Sequence, residues 1–272
     1  MLRIGNLSNL KILSSVNHKH IGLLYFLIAL MMSLYGYMLS IKIRLIMFTP
    51  GSIRNKMNVN MQVTAENYYK SITNHGLILI LWVVMPLIIS AAVNFILPVT
   101  LNVADMGYPR INLIAVHLYL YSVIVYIAQG FTSNLVVGTG WTMYAPLSST
   151  PISDQINGSM EMMVTGLHLV GLSSILGAIN TIGTINTLRR LSGSIMNMNI
   201  FNFGQYTTAF LLLTTIPILA VAITLIIMDR RFNTNFYNEQ GDPLIYQIIF
   251  NNKPLLDNYT NFMRMLKVCF YF

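Results

Sequence analysis

"SITNHGLILILWVVMP", residues 71–86, begins with polar side chains and a single histidine, His75, then runs on without a charge. Followed outward, the apolar character continues to about residue 98. About 20 consecutive apolar residues suffice to cross the hydrocarbon of a bilayer, so this stretch reads as a membrane-spanning helix with a histidine at its head. Such an imidazole has two uses open to it. It can bond a neighbouring carbonyl inside a helix bundle, or it can hold a metal.

The rest of the chain repeats the pattern. Of 272 residues, 55% are hydrophobic and 9% charged, with a mean hydropathy of +0.62, whereas soluble domains carry roughly 25% charged residues. Five apolar stretches stand out, at about 20–42, 71–98, 111–136, 160–186 and 205–228. They are continuous rather than alternating, which excludes a transmembrane β-barrel, and helices are the other way to pair every backbone polar group in lipid. The expected fold is an all-α, polytopic bundle of about five transmembrane helices.

Charge collects in the connectors and tails. The net charge is +8, yet the basic residues form no stripe interleaved with aromatics, so nucleic acid is not an expected partner and anionic lipid headgroups or acidic subunits are. With the N-terminus inside, 6 Lys and Arg fall on inner segments and 10 on outer ones, against the usual bias. Half of those 10 outer residues lie in the C-terminal segment. The first 19 residues, with Arg3, Lys11 and Lys19, lack the apolar core of a cleaved signal peptide. One cysteine, Cys269, excludes an internal disulfide and a cysteine-rich metal site. Richness in Ile, Met, Asn, Tyr and Phe hints at an AT-biased, organellar genome.

Six words then occur in a fixed order: "VNHKHIGLLY" at 16–25, "NHGLILILWVVMP" at 74–86, "NFILPVTLNVADMGYPRIN" at 94–112, "GTGWTMYAPLS" at 138–148, "LHLVGLSSILGAIN" at 167–180 and "DRRFNTNFYNEQGDPLIYQ" at 229–247. Together they resemble the haem–copper oxidase family, subunit I of mitochondrial cytochrome c oxidase. The resemblance runs from about Val16 to Phe250 and implies the first five helices of a twelve-helix fold. Where the family continues with a sixth helix and its "GHPEVY" word, this sequence has "NNKPLLDNYTNFMRM". The expectation is an N-terminal half, residues 1–250, of a split or truncated subunit I, followed by a divergent tail at 251–272.

What the resemblance implies for individual residues follows. His75 matches the histidine that ligates low-spin haem a, and Arg44, closing the first helix in "SIKIRLIM" near the same membrane face, matches the arginine that bonds a haem substituent. Trp141 in "GTGWT" belongs to the stretch that the family places near the haems; an interfacial aromatic anchor is the equal alternative. Asp105 matches the mouth of the family's D-type proton channel, lined by Asn94, Asn112, Asn180, Tyr25, Ser173 and Ser174. Helix direction brings Tyr25, Asn94, Asp105, Asn112 and Asn180 towards one face, and Ser173 lies two turns before Asn180. The bland reading of these amides and hydroxyls is interhelical hydrogen bonding. Gly166 departs from a serine common in the family, and the channel's terminal glutamate lies beyond the resemblance.

The high-spin haem, copper B and their ligands are likewise expected outside this sequence. His117 and His168 read as bundle-interior residues, and His18 and His20 as N-terminal tail. Asp229, Arg230 and Arg231 read as closing the fifth helix at the outer surface, and Ile46 stands where the family has an acidic residue of an ion site. Implied partners are the complementary half, subunits II and III, cytochrome c and membrane lipids, in the mitochondrial inner membrane. In the tail, Tyr259, Phe262, Leu266 and Cys269 fall on one helical face, expected to dock on the complementary half. A non-catalytic scaffold descended from the subunit, and a quinol-using relative, are the competing readings.

Overall fold

A computed structural model describes residues 13–48, 61–132, 138–149, 158–188, 198–237 and 241–250. Among these there are helices and no strand. The first span is α1 (His18–Phe48). The second is a continuous rod made of α2 (Met61–Leu77), two π-helical segments (Ile78–Val84 and Pro86–Ala92) and α3 (Val93–Leu101). Spans three to five are α4 (Pro109–Thr132), α5 (Ser159–Leu188) and α6 (Ile200–Phe232), and a short α7 (Pro243–Phe250) follows. Among the described residues five helices are long and apolar enough to cross a membrane, as the hydropathy expected. The first and fifth extend past their apolar stretches into polar flanks, where long basic side chains can reach water while their stems stay in lipid.

The second span sits at the centre. In its most apolar window 56% of residues are buried, against 33–39% in the other four. α1 packs along it, α4 lies against α5, and α5 against α6. The core is large and aromatic: Trp82, Tyr25 and Tyr119 are fully enclosed together with Ile21, Leu77, Ile78, Met160 and Met163. Tyr25 stacks on Tyr119 at 5.3 Å between ring centroids, and Trp82 meets Tyr126 at 4.3 Å.

Local chemistry explains the ends and the wide turns. α3 stops at Asn102, whose positive φ of 54° gives the left-handed turn that ends helices. α6 starts behind Asn199, whose side chain accepts from the Phe201 N–H, and ends at Asn233 with φ 52°. Asp242 accepts from the Leu244 N–H at 2.9 Å and Pro243 follows it, the usual cap and first-turn pair, so α7 begins there. In the second span Pro86 contributes no N–H to the ladder. The Tyr119 hydroxyl of α4 donates instead to the Trp82 carbonyl at 2.6 Å. The tail face through Tyr259, Phe262, Leu266 and Cys269 lies outside the described residues.

Candidate functional site at the two ends of the second span

His75 is half-buried near the end of α2. Its Nδ1 lies 2.9 Å from the Gly36 carbonyl of α1. A carbonyl only accepts, so Nδ1 carries a proton, and in the neutral ring Nε2 is the nitrogen with the lone pair. This is the arrangement by which proteins orient a ligating imidazole through its other nitrogen. Gly36 permits it: a Cβ there would come within 2.8 Å of Leu79 Cδ2 and 3.3 Å of Leu79 Cγ. On the other side of the backbone, Tyr126 donates its hydroxyl to Asn74 Oδ1.

Arg44 is exposed on α1, eight residues past Gly36, which is about 12 Å along the helix axis. Trp141 is 50% exposed and rests on Gly76, the residue after His75: a Cβ on Gly76 would stand 3.5 Å from Trp141 Cβ. Its connector is tied down at its start, where the Gly140 N–H donates to Thr73 Oγ1 at 3.0 Å. Gly140 has φ 79°, a conformation side chains resist, which accounts for the glycine in "GTGWT". His75, Gly76 and Trp141 are therefore brought together, with Arg44 farther along the same helix that orients the ring.

At the opposite end the chemistry is of carboxamides and a carboxylate. Asp105 Oδ1 accepts from the Met106 N–H at 2.8 Å, from the His18 backbone N–H at 3.3 Å and from His18 Nδ1 at 3.0 Å. The Asp105 side chain is 37% exposed and that of His18 only 7%, so the carboxylate faces outward while a buried imidazole steadies it. His18 is the first residue of α1 and His20 lies in its first turn, so neither is tail, which corrects the expectation; His20 is exposed and its Nδ1 lies 2.8 Å from Ser15 Oγ. Asn94 and Asn112 form a reciprocal amide pair, and Asn94 Nδ2 also donates to the Ser90 carbonyl at 2.8 Å.

The connector between spans two and three is seated on α5 by two backbone bonds, Tyr108 N–H to Asn180 Oδ1 at 3.0 Å and Gly107 N–H to Thr184 Oγ1 at 2.9 Å. Asn180 is fully buried, and its Nδ2 has no partner among the described residues. A buried donor of that kind is where an ordered water binds. Deeper in, Ser173 donates to the Ala115 carbonyl at 2.7 Å and lies 3.3 Å from the Tyr25 hydroxyl. Ser174, by contrast, bonds the Val170 carbonyl of its own helix.

His117 and His168 bond within the bundle as expected, whereas the reading of Asp229 and Arg230 is corrected. His117 Nδ1 donates to the Leu113 carbonyl, while His168 Nδ1 donates to the Val164 carbonyl and its Nε2 lies 2.9 Å from the Thr224 hydroxyl, bridging α5 and α6. Asp229 and Arg230 do not close α6 at the surface. Both are buried: Asp229 accepts from Thr234 Oγ1 and from the Phe236 and Tyr237 N–H groups, and Arg230 Nε pairs with Glu161 at 3.1 Å. Burial, with the Asp229 charge beside it, pushes the Tyr237 hydroxyl up to about 12. Gly166 lies beneath the Trp82 indole, which donates to Ser122 Oγ at 3.1 Å, so the hydroxyl at that depth comes from α4. Sequence reading missed His18, Thr184, Ser122 and Glu161. The word "NHKH" contained the first, but nothing in its spacing pointed to a residue 87 positions away.

Comparison with known proteins gives one family and close relatives. The family described as Cytochrome C and Quinol oxidase polypeptide I matches residues 20–251. Proteins named Cytochrome c oxidase subunit 1 from Leishmania tarentolae and Candida albicans are each 35% identical, over 87% and 88% of this chain. One from Strigomonas oncopelti is 34% identical over 87% of it. The chain spans 42% and 44% of the length of the first two and 67% of the third.

Proposed function

The chain belongs to the Cytochrome C and Quinol oxidase polypeptide I family, and on that premise we propose that it forms the haem-holding and proton-collecting part of a cytochrome c oxidase subunit I in the mitochondrial inner membrane. One observation carries the reading: His75 Nδ1 is committed to the Gly36 carbonyl, which leaves Nε2 as a fixed lone pair. The donor set supports haem over a bare ion. Among the described residues no three His, Cys, Asp or Glu side chains gather around a common point, and a bare zinc ion needs three or four protein ligands, whereas haem iron can be held by a single histidine of a chain because the macrocycle supplies most of its ligands.

In this role His75 would hold the iron of low-spin haem a, Trp141 would form part of the pocket wall beside Gly76, and Arg44 would offer its guanidinium to a polar substituent. When bound, the haem supplies reversible one-electron chemistry at a potential set by its ligands and surroundings. The other ligand of that haem, and the ligands of a high-spin haem and copper B, would come from the family's further helices, outside the matched residues 20–251, on a complementary part of the subunit. Subunits II and III complete the assembly, with cytochrome c as electron donor.

Asp105 collects protons at the opposite end. Its exposed carboxylate is held by His18, and the file onward runs along Asn94, Asn112 and Asn180 to Tyr25, Ser173 and Ser174. Amides and hydroxyls that both donate and accept can order a chain of waters, and the partnerless Asn180 Nδ2 supports that use.

The test is purification of the native complex from membranes, with reduced-minus-oxidised spectra and peptide mapping. Haem a absorption in a particle that yields peptides of this chain and of the complementary helices is the expected result. A particle containing this chain but no haem would replace the reading with that of a non-catalytic scaffold.

A further inference from the structure

Among the described residues, the connector that carries Trp141 is bonded both to the second span and to two later helices. Gly140 is tied to Thr73. Thr142 is held from the other side, because Tyr246 of α7 donates its hydroxyl to the Thr142 carbonyl. Farther on, Arg230 Nη1 donates to the Ser148 carbonyl at 3.2 Å, and the Ser148 hydroxyl and N–H in turn bond the Met143 and Tyr144 carbonyls. The turn between them is compact, with Met143 at φ 48° and its N–H on the Gly140 carbonyl.

The two far fasteners rest on charge and burial. The Arg230 side chain is 1% exposed, and its Nε meets Glu161 Oε1 at 3.1 Å; Glu161 stands in the first turn of α5, where a carboxylate also favours the helix dipole. Tyr246 is fully buried and meets Tyr237 edge-on at 5.3 Å, and Tyr237 is held by Asp229 and by the Ala222 carbonyl. Glu161, Arg230, Tyr237 and Tyr246 thus join α5, α6 and α7 into one frame around the connector. The contact with the residue beside His75 is made by Trp141, which rests on Gly76.

We propose that Glu161, Arg230 and Tyr246 are positioning residues that press Trp141 onto Gly76 and so set the polarity of the pocket wall beside His75. The proposal rests on the reading of His75 as the haem ligand. With the frame intact, the half-exposed indole covers the backbone next to the ligand. With the frame loosened, the connector lifts, water reaches that wall, and the more highly charged ferric state gains stability, which lowers the reduction potential.

The experiment uses the assembled complex carrying Glu161→Gln, Tyr246→Phe, Trp141→Ala, or Trp141→Ala combined with each of the first two. Arg230 is left in place, because its removal strands a buried carboxylate and can prevent folding. Glu161→Gln keeps an acceptor for Arg230 without the charge, and Tyr246→Phe removes one hydroxyl. The readouts are the low-spin haem absorption maximum and its midpoint potential at equal haem content. The expected result is a displaced maximum and a lower potential in both single variants, with no additional change when either is added to Trp141→Ala, since residues that act through a common partner do not add. An unchanged maximum and potential in both singles overturns the proposal, as does a full additive shift in the double variants. Absence of a low-spin haem from the unsubstituted complex overturns the His75 reading itself, a distinct outcome that takes this proposal with it.

Discussion

The two ends of the second span are made of different material. At the His75 end one ring nitrogen is fixed by a backbone carbonyl, glycines let neighbours approach, and an indole closes the side. At the Asp105 end side chains that can donate and accept bond one another and the backbone, and one buried N–H remains over. The first arrangement has a single answer for where its lone pair points. The second has several nearly equal ways to share its hydrogens. A metal ligand needs the former and a file of exchanging waters the latter, so the same helix is rigid in chemistry at one end and permissive at the other.

The largest expected effect breaks one end and leaves the other. His75→Leu should abolish the low-spin haem spectrum in the assembled complex while Asp105 keeps its three bonds, because no other described side chain supplies a lone pair to that position. A low-spin spectrum retained in full would show that the fixed nitrogen has another use. Next comes the converse. Asp105→Asn should slow proton uptake from its side by about 100-fold, the lower range for a positioned proton-transfer group, with the haem absorption unmoved. If the spectrum shifted with that substitution, the ends would be coupled and the division between them wrong.

How much of this was legible beforehand follows the range of the signals. The five spans could be read because an uninterrupted apolar run is a local property, and the placing of His75, Asp105, Asn94 and Asn112 near span ends because each sits in a short word beside such a run. Residues paired across long separations could not be read. His18 meets Asp105 over 87 positions and Arg230 meets Glu161 over 69, and no periodicity records either contact. That is why His18 read as tail and Arg230 as surface, where an unpaired charge would ordinarily lie. The π-helical turns were invisible for another reason: their apolar side chains score the same in a wide turn as in a tight one, and only Pro86 marked the place.

Gly36→Ala tests the rigid end more gently. The added methyl would sit 2.8 Å from Leu79 Cδ2 and 3.4 Å from Ile78 Cγ2, and overpacking of this kind costs about 1–2 kcal/mol. Leu79 can move its tip but not its Cγ, so part of the strain passes to the α1 backbone and to the carbonyl that orients the imidazole. The expected outcome is a lower thermal midpoint of the complex together with a shifted haem band. A drop in midpoint with an unmoved band would mean that the His75 to Gly36 bond tolerates more displacement than its 2.9 Å suggests.

The smallest effect lies between the ends, at the wide turns. Tyr119 donates to the Trp82 carbonyl at 2.6 Å, and the Trp82 indole donates to Ser122, whose hydroxyl donates to the Tyr119 carbonyl. Tyr119→Phe keeps the ring stacked on Tyr25 and removes only the hydroxyl. Net hydrogen bonds of this kind contribute about 1 kcal/mol, in membranes as in water, so the thermal midpoint should fall slightly while the haem band and proton uptake stay as they were. Hydrogen exchange should rise at amides 82–92, where Pro86 leaves the ladder short of a donor. If exchange there were unchanged, the π-helical ladder would be self-sufficient, and the aromatic layer between the two ends would serve as packing alone.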